Sequence, residues 1–178
     1  AYELGLQKPG NCQTAPGRAP YFYEEDNYTD DMELATVEQL NMAGTASNSS
    51  ANWLSTALDF AQREPITPWI LNDTARHYQW YPFVNVGHAE LAKKLTGNRR
   101  KTVTDFYKAG IDLGWRRAQQ NAFYRGVPFI WCSNNLTTSC ATQCFWYRQL
   151  TNDTQFATLE QANFDWLFGC NPWGTSFV

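Results

Sequence analysis

Long apolar runs are missing from this sequence. No stretch approaches the roughly 20 residues needed to carry a helix across a bilayer, so no membrane partner is expected. A strong charge of one sign is also missing: 14 Lys and Arg face 17 Asp and Glu, for a net charge of −3. A mildly acidic chain without a basic run is poorly suited to the phosphate backbone, and no nucleic-acid partner is expected. Histidine is scarce, with only His77 and His88. The five cysteines are Cys12, Cys132, Cys140, Cys144 and Cys170. Cys140 and Cys144 have no matching second pair and both histidines lie far off in sequence, which argues against a zinc cluster. Their odd number argues against a complete disulfide framework and favours buried thiols. No charged-then-apolar leader opens the chain. Residues 1–20 carry Pro9, Pro16 and Pro20 and read as an irregular surface segment.

Aromatic residues are abundant. Eight Trp, nine Tyr and eleven Phe make up 16% of the 178 residues. Such a set builds a large aromatic core, or it offers stacking platforms to flat, uncharged ligands. Sugar rings present apolar C–H faces to indole and phenol rings while their hydroxyls seek polar side chains. A weakly charged, aromatic-rich chain suits that chemistry better than it suits nucleic acid.

Apolar spacing reads as helix nearly throughout. Leu34, Val37 and Leu40 follow the cap-like Thr29-Asp30-Asp31. Leu54, Ala57, Leu58 and Ala61 share one face before Pro65 and Pro68. Val84, Gly87, Leu91 and Leu95 mark a helix ended by Thr96-Gly97. Val103, Phe106, Tyr107, Gly110 and Leu113 mark the next, and Gly126-Val127-Pro128 reads as a connector. Leu136, Cys140, Cys144 and Tyr147 mark a long helix. Phe156, Leu159, Asn163, Trp166 and Leu167 mark a last one, stopped by Gly169 and Pro172. The expectation is an all-α chain of about six helices without a strand, with short polar turns alternating with long aromatic loops. That alternation suits antiparallel helix pairs arranged in a ring.

Five carboxylates fall within Glu24–Asp31. They fit a solvated acidic loop at a helix start, where the dipole favours them. They also fit a calcium site, which needs six to eight oxygens; Asp30 and Asp31 would supply two, with Asp73 as a remote partner. Adjacent aspartates point in different directions, which disfavours a catalytic pair. The run Arg76-His77-Tyr78-Gln79-Trp80-Tyr81 mixes stacking surfaces with donors, as a glycan groove requires. A lone His77 is more often structural than a general base. Asn134 and Asn135 after Trp131 repeat that mix.

Four blocks carry a family likeness: YFYEEDNYTDDMELA, PWILNDTARHYQWYPFVNVGHAELA, GVPFIWCSNNLTTSCATQCFWYRQLT and FDWLFGCNPWGTSFV. In this order they resemble glycoside hydrolase family 9, the inverting endoglucanases and related cellulases. The last block, with Gly169-Cys170-Asn171-Pro172, is the sharpest.

The resemblance implies a single partial catalytic domain over residues 1–178, built as part of an (α/α)6 barrel. It implies a secreted enzyme whose partner is cellulose or a related β-glucan. In inverting hydrolysis one carboxylate activates water and a carboxylic acid protonates the leaving oxygen, about 6.5–9.5 Å apart. The family's catalytic aspartates and glutamate have no counterpart here, so no catalytic residue is assigned and the isolated chain is expected to be inactive. Asp30 and Asp31 match the paired acidic positions that bind calcium in several family members, and Asp73 is taken as their partner. Trp131 matches a tryptophan that stacks on glucose; Asn135 stands where an arginine is common. His77, Tyr78, Trp80, Tyr28 and Trp69 are further candidates for the substrate cleft. A non-catalytic glycan-binding module and a helical interaction scaffold are the alternative readings.

Overall fold

The computed structural model describes residues 1–10, 28–43, 50–63, 85–129 and 133–178. Among these residues every regular element is an α-helix and none is a strand. The helices are α1 (Tyr2–Gln7), α2 (Thr29–Ala43), α3 (Ser50–Arg63), α4 (Val86–Lys94), α5 (Gly97–Ala118), α6 (Ser133–Thr151) and α7 (Ala157–Leu167). The all-α expectation holds. The described residues divide into two compact units, one of 1–10, 28–43, 50–63 and 85–103, the other of 104–129 and 133–178.

In the first unit α2 packs against α3 and α4. The buried stripe of α2 runs Thr29, Met32, Glu33, Thr36, Val37, Leu40. Its positions recur every three or four residues, which turns one helical face inward. α3 answers with Ala57, Phe60 and Ala61, and α4 with Ala89, Leu91 and Ala92.

One expectation is corrected here. Residues 1–20 read as irregular, yet Tyr2–Gln7 forms a helix and buries Tyr2. Six residues are too few to be helical on propensity alone; tertiary contacts hold them. The Tyr2 ring meets Trp53 edge-on at 5.4 Å and joins Met32 and Phe60 in a small core cluster. Thr36 donates its hydroxyl hydrogen to the Met32 carbonyl at 2.6 Å. Its oxygen therefore accepts from the Tyr2 hydroxyl, 2.9 Å away. A Cβ on Gly5 would stand 2.9 Å from the Met32 sulfur, so glycine lets α1 lie close to α2.

In the second unit α6 and α7 form a hairpin joined by a five-residue turn. α6 buries Leu136, Cys140, Cys144 and Tyr147, and α7 buries Leu159, Asn163, Trp166 and Leu167. Cys140 and Cys144 are free buried thiols. Tyr147 meets Phe156 edge-on at 5.6 Å, and Phe156 meets Trp115 of α5 at 6.4 Å. Helical hairpins of this kind are the unit from which an (α/α)6 ring is built.

Candidate functional site

Most of the expected site falls outside the described residues: Trp69, Asp73, His77, Tyr78, Trp80 and Trp131. Three candidates are described, all at the start of α2. Tyr28 is half-buried and packs against the Tyr2–Met32–Phe60 cluster. Asp30 is half-buried and Asp31 exposed, both in the first turn. Although Asp31 is exposed overall, partial burial of its carboxyl pushes its pKa up. Among the described residues no three His, Cys, Asp or Glu side chains gather closely enough to hold a metal. Asp30 and Asp31 alone fall short of the six to eight oxygens that calcium takes.

Sequence reasoning missed a buried acid–base pair. Glu33 on α2 and His88 on α4 are each wholly buried, with His88 Nδ1 2.7 Å from Glu33 Oε2 and 2.8 Å from Oε1. Burial pushes the Glu33 pKa up, opposed by the charge and hydrogen bond of His88. Burial wins because a carboxylate loses its whole hydration shell while one imidazole replaces only part of it. Glu33 lay in view on the stripe of Met32, Val37 and Leu40, where an acid demands a partner; nothing in the sequence pointed to His88.

Five other described carboxylates have structural partners. Glu160 holds Arg148 in a two-pronged bridge at 2.7 and 2.9 Å. Asp153 accepts from the Tyr147 hydroxyl at 3.0 Å. Asp112 meets Lys108 at 2.8 Å, Glu90 meets Lys93 at 2.6 Å and Asp59 meets Arg63 at 3.0 Å.

The segment that follows α5 is held by two polar side chains, Asn121 and Asn163. Asn121 accepts from the Arg125 backbone N–H at 2.9 Å and donates to the Arg125 carbonyl at 3.0 Å, closing the turn after α5. Buried Asn163 accepts from Gly126 N–H at 3.1 Å and donates to the Leu159 and Tyr124 carbonyls at 2.8 and 3.3 Å. Gly126 is required there, because a Cβ would lie 2.9 Å from Leu159 Cδ1.

The Gly-Cys-Asn-Pro motif has a mechanical explanation. Gly169, at φ 113°, ends α7. The Cys170 N–H reaches back to the Asp165 carbonyl at 3.0 Å and the Gly169 N–H to Trp166 at 3.4 Å, the paired closure that a left-handed glycine permits. Asn171 then donates to the Trp166 and Thr175 carbonyls, both at 2.8 Å, and accepts from the Trp173 N–H at 3.0 Å. One side chain thereby folds the tail back onto the helix.

The glycosyl hydrolase family 9 model matches residues 1–178. The chain belongs to that family. No curated protein and no solved structure matches it. Family 9 membership makes this a chain of a glycoside hydrolase of the cellulase type, acting on a polysaccharide of the glucan kind. Family 9 enzymes are commonly extracellular, and no helix among the described residues is long and apolar enough to cross a membrane.

Proposed function

We propose that this chain supplies substrate-cleft and framework residues to an enzyme that hydrolyses β-1,4-glucosidic bonds in cellulose or a related β-glucan, with inversion. The family match over the whole chain carries the reading. The aromatic composition agrees with it, since stacking on apolar sugar faces needs broad rings and little charge. Trp131, His77, Tyr78, Trp80, Tyr28 and Trp69 are the proposed cleft residues.

The chain itself is proposed to lack the acid and the base. Inversion needs one carboxylate free to polarise water and another able to give up a proton, held about 6.5–9.5 Å apart. Glu33 is sealed against His88. Asp59, Glu90, Asp112, Asp153 and Glu160 are each tied to a cation or a phenol. These positions suit structural duty, which supports an inactive chain with a binding role. Asp30 and Asp31, with Asp73, are the proposed calcium ligands; the ion would pin the α2 start and take no part in the reaction. Secretion follows from the same reading.

The test is to incubate the purified chain with amorphous cellulose and assay pelleting and reducing ends together. Co-sedimentation without new reducing ends supports the proposal. Loss of binding, or steady release of reducing ends, overturns it.

A further inference from the structure

An aromatic surface at the open end of the α6–α7 hairpin, opposite its connecting turn, uses none of the cleft residues named above. Phe129, Trp173 and Phe177 are 68%, 59% and 43% exposed. Phe129 and Trp173 meet buried Trp166 edge-on at 6.0 and 6.1 Å and each other at 6.3 Å. Phe177 extends the row from Trp173 at 6.0 Å. An exposed run of contiguous rings marks an interaction site more often than chance.

A second observation points to what it binds. Arg125 is only 3% exposed, and its guanidinium stacks 4.3 Å from the Phe129 ring centre and 4.9 Å from that of Trp166. Nη1 donates to the Val127 carbonyl at 2.9 Å. Nε and Nη2 are buried without an acceptor. Donors left so are costly, and an oxygen-bearing ligand would relieve the cost.

We propose that Trp173 and Phe129 form an additional platform for one glucose ring of a β-glucan chain, with Arg125 beneath donating to its hydroxyls. The proposal rests on the glucan reading above. A sugar joins an apolar face to a rim of hydroxyl acceptors, which matches rings set above free guanidinium donors. Phe129 and Trp173 stand at 74° to each other, so only one can lie flat under a sugar. Trp173 is the floor: its face is larger, and its backbone N–H is held by Asn171, so little ordering cost remains on binding. Phe129 is the wall. Its largely exposed ring covers the Arg125 guanidinium, and the proposal requires that a bound sugar displace it from Nε and Nη2.

Calorimetric titration of the chain with cellohexaose tests the platform. Trp173→Leu is expected to weaken binding by about tenfold, the scale of one lost aromatic anchor. Trp173→Phe, which keeps a ring, is expected to lose less; far-UV dichroism confirms that both variants fold. The Arg125 Nε–H signal in ¹⁵N-correlated NMR of the unaltered protein is expected to shift as sugar is added. If the unaltered chain binds and Trp173→Leu binds equally well, the platform is wrong while the glucan reading stands. If binding persists with the Nε–H signal unmoved, Arg125 is not a donor and the proposal fails in that part. If the unaltered chain does not bind, the platform and the glucan reading fall together.

Discussion

His88 Nδ1 lies within 2.8 Å of both carboxylate oxygens of Glu33, and neither side chain has any exposed surface. One N–H serves one oxygen well, so Oε1 takes the hydrogen bond while Oε2 stays buried without one. The pair joins α2 to α4 at a point where water cannot replace either partner.

Removing one partner leaves the other buried alone. His88→Ala or Glu33→Ala is expected to cost about 3–5 kcal/mol, the penalty of breaking a buried pair. Glu33→Gln keeps an acceptor for the imidazole and should cost less. Urea unfolding monitored by dichroism measures all three.

Gly87 probes the same contact sterically. A Cβ there would stand 3.0 Å from Glu33 Cδ. Gly87→Ala gains about 0.5–1 kcal/mol of helix preference. It also crowds a carboxyl that is wholly buried and cannot swing away, and overpacking costs about 1–3 kcal/mol. A net loss of stability is expected in thermal melts; a gain would show that the pair is loosely held.

Asn163 makes a chemical prediction in the second unit. Asn163→Ala strands the Gly126 N–H, with a penalty of about 1–3 kcal/mol. Asn163→Asp should cost more at neutral pH, because carboxylate oxygens would then face the Leu159 and Tyr124 carbonyls that now receive N–H donors. Acidification protonates the new carboxyl and should narrow the gap between the two variants.

The Tyr147–Asp153 contact sets a pH dependence. Burial, then donation to Asp153, pushes the Tyr147 pKa up to about 12. A raised pKa means a contribution to stability that is complete below about 10, the free phenol value, and lost as pH rises through about 12. The Gln155 backbone N–H, then the Tyr147 hydroxyl, hold the Asp153 pKa below its usual 3.8. Its contribution is complete above 3.8 and lost as pH falls through the folded value. Tyrosinate absorbance, read as the difference from Tyr147→Phe, should show one late-titrating phenol, and Asp153→Ala should bring it earlier.

The calcium proposal has its own readout. If Asp30, Asp31 and Asp73 hold the ion, adding calcium raises the melting temperature and Asp31→Ala abolishes the rise. An equal rise in Asp31→Ala would remove that residue from the ligand set.

Helices were legible where apolar spacing was strong. The faces of α6 and α7, with Leu136, Cys140, Cys144, Leu159 and Trp166, are buried as their periodicity requires. α1 was illegible because its stability comes from Tyr2 meeting Thr36 and Trp53, and no local pattern encodes such distant contacts. The Asn171 and Asn163 hubs were hidden for a related reason. Their identities were in plain view, but their roles depend on which backbone groups the fold brings within reach. Of the candidate site, Tyr28 is the one residue whose packing adds to the sequence reading, since it flanks the Tyr2 cluster.

The central claim is a glucan-binding chain without its own acid and base. Proton NMR of cellohexaose mixed with the purified chain tests both halves in one experiment. The account predicts broadened glucose resonances with no new reducing-end signals as the sample ages. Sharp, unperturbed resonances, or the growth of shorter-oligosaccharide signals, would contradict it.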